Sequence, residues 1–161
     1  MIIRRACLSD ESSIHAVLVE SYFEFAARIG SDNWTTMRSR LEKAAEYAGL
    51  ETFYLAEIKV HLVGLISYAA PFKGTTPRIP EDWASIRFLG VLPSAQGQGI
   101  GRLLTEQCIV NAREDRAKSI GLFTSEAMIA AQKLYTNLGF CRVSEIDSHF
   151  GLRYWLYKLD L

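Results

Sequence analysis

A chain of 161 residues has the length of one ordinary domain and can bury a full hydrophobic core. With 49% hydrophobic and 22% charged residues, its composition is that of a folded globular protein, which excludes a disordered or fibrous class. Its 18 basic and 18 acidic residues cancel to a formal charge of zero, so there is no electrostatic footprint for nucleic acid or for an anionic membrane surface. The cysteines Cys7, Cys108 and Cys141 are odd in number, widely spaced and in no zinc pattern, so reduced thiols in a cytoplasmic protein and no metal are expected. Met1 to Ala6 runs directly into polar Ser9-Asp10-Glu11, which predicts no secretory leader, and no window has the apolar length of a bilayer span.

Ile2 to Ala6 reads as a short strand. Ser9-Asp10 offers helix capping, and Ile14, Val17, Leu18, Ser21, Tyr22 and Phe25 fall at helical spacing, predicting one amphipathic helix from Asp10 to Ala27. Gly30-Ser31-Asp32-Asn33 breaks it. Trp34, Met37, Leu41, Ala44, Ala45 and Ala48 carry the stripe of a second helix, which Gly49 ends. Thr52 to Ile58 and Leu62 to Ala69 are β-rich runs joined by Lys59-Val60-His61, a connection without the usual hairpin-turn residues. A loop holding Pro71, Gly74, Pro77 and Pro80 follows, too short to link domains.

Ser85 to Val91 reads as a central strand that Pro93 terminates, before a glycine-rich loop. Ile100, Leu103, Leu104, Cys108 and Ala112 mark a helix to Arg116. Ile120 to Thr124 is a further strand, and Ala127, Ala131, Leu134 and Leu138 form a helix stripe that Gly139 stops. Strands over Phe140–Val143 and Arg153–Leu159 close the chain. The order β-α-α-β-β-β-α-β-α-β-β mixes strand–helix alternation with hairpins, so a mixed α/β sheet is expected, in one domain spanning residues 2–161.

The loop Gln96-Gly97-Gln98-Gly99-Ile100-Gly101 carries the chemistry. A helix start leaves backbone N–H groups without partners and adds the positive end of the helix dipole. Glycines let a phosphate approach that backbone closely, and Arg102 in the first turn adds a full charge. Taken alone, three glycines here are as well explained by a tight strand-to-helix connection. A dinucleotide fingerprint would require G-x-G-x-x-G after the first strand, with an acid about 20 residues on. The loop instead reads G-x-G-x-G past mid-chain, and it also lacks the Gly-Lys-Ser/Thr ending of a P-loop.

Gln96-x-x-Gly99-x-Gly101 after Phe88-Leu89-Gly90-Val91-Leu92-Pro93 resembles the acetyl-CoA signature Q/R-x-x-G-x-G/A of the GNAT N-acetyltransferase superfamily. Ala131 to Phe140 (AQKLYTNLGF) resembles that family's second motif, A-x-x-L-Y-x-x-x-G-F, and Ile3-Arg4-Arg5-Ala6 with Ser9-Asp10 resembles its opening strand and helix. The likeness in element order covers essentially the whole chain. It implies a mixed, largely antiparallel twisted sheet of about seven strands flanked by about four helices. It also implies acetyl-CoA as co-substrate, an amine acceptor that is a small molecule or a peptide, and the pairing into homodimers common among relatives.

By the same resemblance Leu89, Gly90 and Val91 would contact the pantetheine arm through their backbone. Gln96, Gly97, Gln98, Gly99, Ile100, Gly101 and Arg102 would hold the pyrophosphate. Tyr135 takes the position that often protonates the departing thiolate; read without the family, it is a core aromatic on an apolar helix face. Two positions depart from the pattern. Ser85 stands where many relatives carry a glutamate base, with Glu81 and Asp82 upstream, and Thr124-Ser125-Glu126-Ala127 lacks their asparagine. Glu126 and His149 are further candidates for the base. The family's acceptor loops correspond to segments holding Tyr22, Phe25 and Trp34 and, near the C-terminus, His149 and Phe150; Tyr22 and Phe25 also continue the helix stripe and read equally as core. A catalytically silent acyl-CoA-binding module of the same fold is the alternative to an enzyme.

Overall fold

A computed structural model describes residues 1–44, 46, 51–74 and 76–161, so the expectations for Ala45, Ala48 and Gly49 lie outside the described residues. The strands are β1 (Ile2–Arg5), β2 (Thr52–Ile58), β3 (His61–Ala69), β4 (Ala84–Val91), β5 (Ser119–Ser125), β6 (Cys141–His149) and β7 (Leu152–Asp160). The helices are α1 (Glu11–Tyr22), α2 (Ala26–Ile29), α3 (Ser31–Glu42), α4 (Ile100–Glu114) and α5 (Ile129–Asn137). The strands form a single seven-stranded sheet in the order β1-β2-β3-β4-β5-β7-β6, antiparallel at every pairing except β4 with β5.

Alternation along the strands sorts side chains to the two faces of the sheet. Phe53, Leu55 and Leu65 pack with Ile14 and Leu18 of α1 and Met37 and Leu41 of α3. Tyr54, Ala56 and Ile66 pack on the other side with Ile100, Leu104 and Cys108 of α4 and Tyr135 of α5. The sheet is thus sandwiched between an α1–α3 layer and an α4–α5 layer.

The single helix expected from Asp10 to Ala27 is interrupted. Phe23–Phe25 form one 3₁₀ turn between α1 and α2, and Gly30 at φ +82° is the actual break, so Ser31 to Asn33 belong to α3. Asp10 does not cap α1 with its side chain. Its carboxylate turns back to accept the Cys7 N–H at 2.8 Å and the Arg4 guanidinium at 2.7 and 2.8 Å, tying β1 to the helix start. The hairpin between β2 and β3 closes on Lys59 (φ +49°) and Val60 (φ +64°), a left-handed pair built without glycine or asparagine. Strand β6 runs to His149, well past Val143, so Asp147, Ser148 and His149 lie in a strand and only Phe150-Gly151 make the turn. Its side chains are almost all exposed, as befits an edge strand studded with Arg142, Glu145 and Asp147.

Candidate functional site

Strands β4 and β5 pair only through Ala84, Ile86 and the residue between them, against Ile120 to Leu122. Beyond Ile86 they part. The cause lies on the other edge of β4, where Ser67 faces Arg87 but Leu65 faces Gly90, so Phe88 and Leu89 together oppose one β3 residue. This bulge, with Phe88 at φ +53°, bends β4 away from β5 and leaves the β5-facing edge of Leu89–Val91 open. Pro93–Ala95 then make a 3₁₀ turn, Gly97 and Gly99 adopt φ +75° and +79°, and α4 begins at Ile100. Side chains at either left-handed glycine would meet nothing within 4 Å, so the space above the loop is open. The first bond closing α4 is Leu103 N–H to Gly99 C=O at 3.1 Å, and the N–H groups of residues 97 to 102 find no acceptor among the described residues.

A cleft of about 570 Å³ runs from this loop into the opening between the strands. Its walls come from both helical layers: Ser21, Tyr22, Glu24 and Phe25 on the α1 side, and Ala127 to Ala131 with Leu134 on the α5 side. Leu89, Gly90, Val91, Gln96, Gly97, Gly99, Ile100, Gly101 and Arg102 also line it, whereas Gln98 does not. Gln96 Nε2 donates to the Val91 carbonyl at 3.3 Å, fastening the loop to the end of β4. Arg102 Nε donates to Glu106 at 2.8 Å on the exposed first turn of α4. An apolar-walled cleft that ends on a row of N–H groups without acceptors among the described residues suits a ligand with an apolar arm and a diphosphate, and acetyl-CoA is of that form.

The remaining expected site residues divide. Tyr22 and Phe25 stand edge to face at 6.0 Å in the cleft wall. Trp34 lies outside it, packed against Phe23 at 5.6 Å. His149 and Phe150 are also outside: His149 meets the Tyr154 ring edge at 5.7 Å, and the Arg40 guanidinium covers Phe150 at 5.1 Å. Tyr135 is 4% exposed and follows Leu134 of the cleft wall; burial, then the nearby Tyr22 and Cys108, push its phenol well above the ordinary range.

The candidate bases are scattered. Ser85 is buried with no partner for its Oγ among the described residues, and it lines a separate pocket of about 300 Å³ with Thr76 and Glu81. Glu126 accepts the Arg153 N–H at 3.1 Å, and Asp82 is exposed. In the segment that lacks an asparagine, Thr124 presents a buried hydroxyl with no partner among the described residues, and the buried Ser125 hydroxyl interacts with the Tyr154 phenol.

Sequence reading missed two features. Glu51 is a buried carboxylate that accepts hydrogen bonds from Ser67 and Arg87 across three neighbouring segments of one sheet face. No spacing rule marks an acid placed just before a strand. Ser21 falls in the helix stripe of the sequence, where a hydroxyl among Ile14, Val17 and Leu18 is the available signal.

The profile of the family described as acetyltransferase (GNAT) matches residues 14–140. A mycothiol acetyltransferase from Geodermatophilus obscurus is 30% identical over 118 residues, covering 73% of this chain and 38% of that protein. An N-acetylaspartate synthetase from Danio rerio is 26% identical over 123 residues, 68% of this chain and 41% of that protein. The chain therefore spans about two fifths of the length of these curated relatives. Among solved structures, a ribosomal-protein-alanine N-acetyltransferase from Brucella melitensis superposes with TM-score 0.72 at 22% identity, covering 100% of both chains. The yncA protein of Salmonella typhimurium, solved with its cofactor acetyl-CoA, gives TM-score 0.71 at 20% identity over 99% of this chain and 93% of that one. Fold and family profile agree: this chain belongs to the GNAT acetyltransferase family.

Proposed function

We propose that this protein transfers the acetyl group of acetyl-CoA directly to a primary amine of a small molecule or peptide. The observation that carries this reading is the opening between β4 and β5, continuous with a helix-start loop whose N–H groups have no acceptor among the described residues. The N–H groups of residues 97 to 102 would hold the pyrophosphate, with Arg102 adding charge once it exchanges Glu106 for phosphate. The β5-facing backbone edge of Leu89 to Val91, once the Val91 carbonyl exchanges Gln96 Nε2 for the ligand, would hold the pantetheine amides as a missing strand would. When bound, the co-substrate supplies an acetyl group activated as a thioester.

The α1 side of the same cleft would receive the amine. Tyr22 and Phe25 offer an aromatic wall that would hold a cation beside the donor, while Glu24, the acidic residue of the lining, is engaged by Gln96 Nε2 at 3.5 Å at the loop end. The lone pair of the neutral amine forms the new C–N bond and the C–S bond breaks, its electron pair remaining on sulfur. The bound ammonium loses one proton to solvent to become that neutral amine, and the nitrogen loses a second once the C–N bond has formed. Tyr135, which burial keeps protonated across the neutral range, serves as hydrogen-bond donor to the departing sulfur. The name N-acetylaspartate synthetase supports an acceptor nitrogen, and the name mycothiol acetyltransferase supports a small-molecule acceptor.

Thiol release from acetyl-CoA, measured against polyamines, amino acids, aminoglycosides and peptide N-termini, tests the reading: at least one class should raise it above background. A hundredfold excess of acetyl-CoA over its dissociation constant should stabilise the fold by about 2.7 kcal/mol. Stabilisation by NADH and none by CoA would end the reading. Binding of CoA with silence across the panel would favour the non-catalytic acyl-CoA module, which the serine at position 85 keeps in view.

A further inference from the structure

Ser21 sits in the last turn of α1, is 4% exposed, and its Oγ has no hydrogen-bond partner among the described residues. It lines the cleft from the α1 layer. A methyl group at position 90 would stand 3.2 Å from both Ser21 Cβ and Oγ and 3.4 Å from Leu18 Cδ2. Glycine at 90 is therefore what lets this turn of α1 close onto the β4 backbone, at the stretch where β4 has lost β5 as a neighbour.

A buried hydroxyl without a partner is costly, and alanine would fill the same space in a helix without that cost. The unused Ser21 donor becomes useful only when a polar atom enters the cleft. Its position selects which atom. The pyrophosphate end of the cleft is the loop of residues 97 to 102, beside which Glu24 accepts from Gln96 Nε2 at 3.5 Å, and the arm would run along Leu89–Val91, so the thioester end lies past that loop, against the turn of α1 in which Ser21 faces Gly90.

Resting on the reading of this cleft as an acetyl-CoA site, we infer that Ser21 Oγ donates a hydrogen bond to the acetyl carbonyl oxygen and to the negative charge that grows on it as the amine attacks. The hydroxyl keeps its proton throughout. It shortens and strengthens its bond as charge develops, in a wall from which water is excluded. A backbone N–H of the open β4 edge supplies the second donor.

Ser21→Ala tests this with readouts beyond turnover. Titration calorimetry should show CoA bound as by wild type, while acetyl-CoA, which alone carries the carbonyl, binds roughly 3- to 10-fold more weakly. Turnover should fall about 100-fold at unchanged amine KM, and the ligand-free variant should melt at the same temperature as wild type or higher. Equal weakening of CoA and acetyl-CoA would assign Ser21 to the pantetheine arm and overturn the inference. So would a rise in amine KM alone, a lower melting temperature of the free protein, or behaviour identical to wild type. Wild-type protein that binds neither CoA nor acetyl-CoA would overturn the acetyl-CoA reading itself, a result separable from failure of Ser21 alone.

Discussion

Replacing Gly99 by alanine separates backbone strain from ligand recognition, because the structure gives each a size. Gly99 has φ +79° and would place its new methyl in open space, with no atom within 4 Å. The folded protein therefore pays only the left-handed backbone, about 1–2 kcal/mol for an L-residue. At roughly 2–4 °C per kcal/mol for a chain of this size, melting should fall by about 2–8 °C. Gly151, at φ +70° in the β6–β7 turn with Asn33 Nδ2 at 3.8 Å, is a matched control outside the cleft. Gly151→Ala should lower melting by a similar amount. Only Gly99→Ala should disturb CoA, since its methyl stands where a phosphate would approach. Loss of one hydrogen bond to a charged oxygen, about 1.5–3 kcal/mol, corresponds to roughly 10- to 100-fold weaker binding. Scanning calorimetry and CoA titration on both variants decide the matter. Equal loss of CoA affinity in the two, or normal affinity in Gly99→Ala, would refute the phosphate-cradle reasoning.

Tyr135→Phe should lower turnover at least tenfold while CoA binds nearly as before, because the ring packs with Phe140 at 5.7 Å and only the hydroxyl is removed; an unchanged rate would remove Tyr135 from the chemistry. Burial raises both the Tyr135 phenol and the Cys108 thiol, so the folded state keeps protons that the unfolded chain releases above about pH 9–10. Their stabilisation is therefore complete below that range and declines as pH rises through it, by up to about 1.4 kcal/mol per pH unit for each group. Denaturant midpoints between pH 8 and 11 should show this decline, and Cys108→Ala should flatten it. Arg87→Met should cost about 3–5 kcal/mol, because the Glu51 carboxylate, whose side chain is 1% exposed, would be left buried without its cation. The double variant Glu51→Leu/Arg87→Met should regain most of that loss, as read by urea unfolding.

The central strands were legible in the sequence as continuous apolar β-rich runs, because both faces of the sheet are covered there, as in Phe53-Tyr54-Leu55-Ala56, whose side chains go by turns to the two cores. The glycine loop was legible because positive φ demands glycine, and Gly97 and Gly99 do adopt it. Strand β6 was read short because its side chains lie almost wholly in solvent, where alternation carries no signal. The break after Tyr22 fell among aromatic residues that continue a helical stripe, so the change to a 3₁₀ turn left no mark in residue type. Lys59-Val60 adopts a turn that its residues disfavour, held there by the β2–β3 pairing on either side. As for the cleft, its cofactor-loop lining was visible while its α1 wall was only half so. Ser21 and Glu51 owe their places to segments distant in sequence, and His149 with Phe150 was expected beside the cleft but packs toward Tyr154 and Arg40.

The short β4–β5 pairing has a mechanical meaning as well. The sheet is in effect two panels, β1 to β4 and β5 to β7, stitched at one end by the rungs around Ala84–Ile86 and hinged apart at the other. A ligand lying in the gap and bonding to the free edge of β4 would act as a zip fastener drawn between them, so its binding energy becomes coupling energy between panels. Amide exchange along Leu89–Val91 should slow in the complex, and exchange in the two panels should become more tightly coupled.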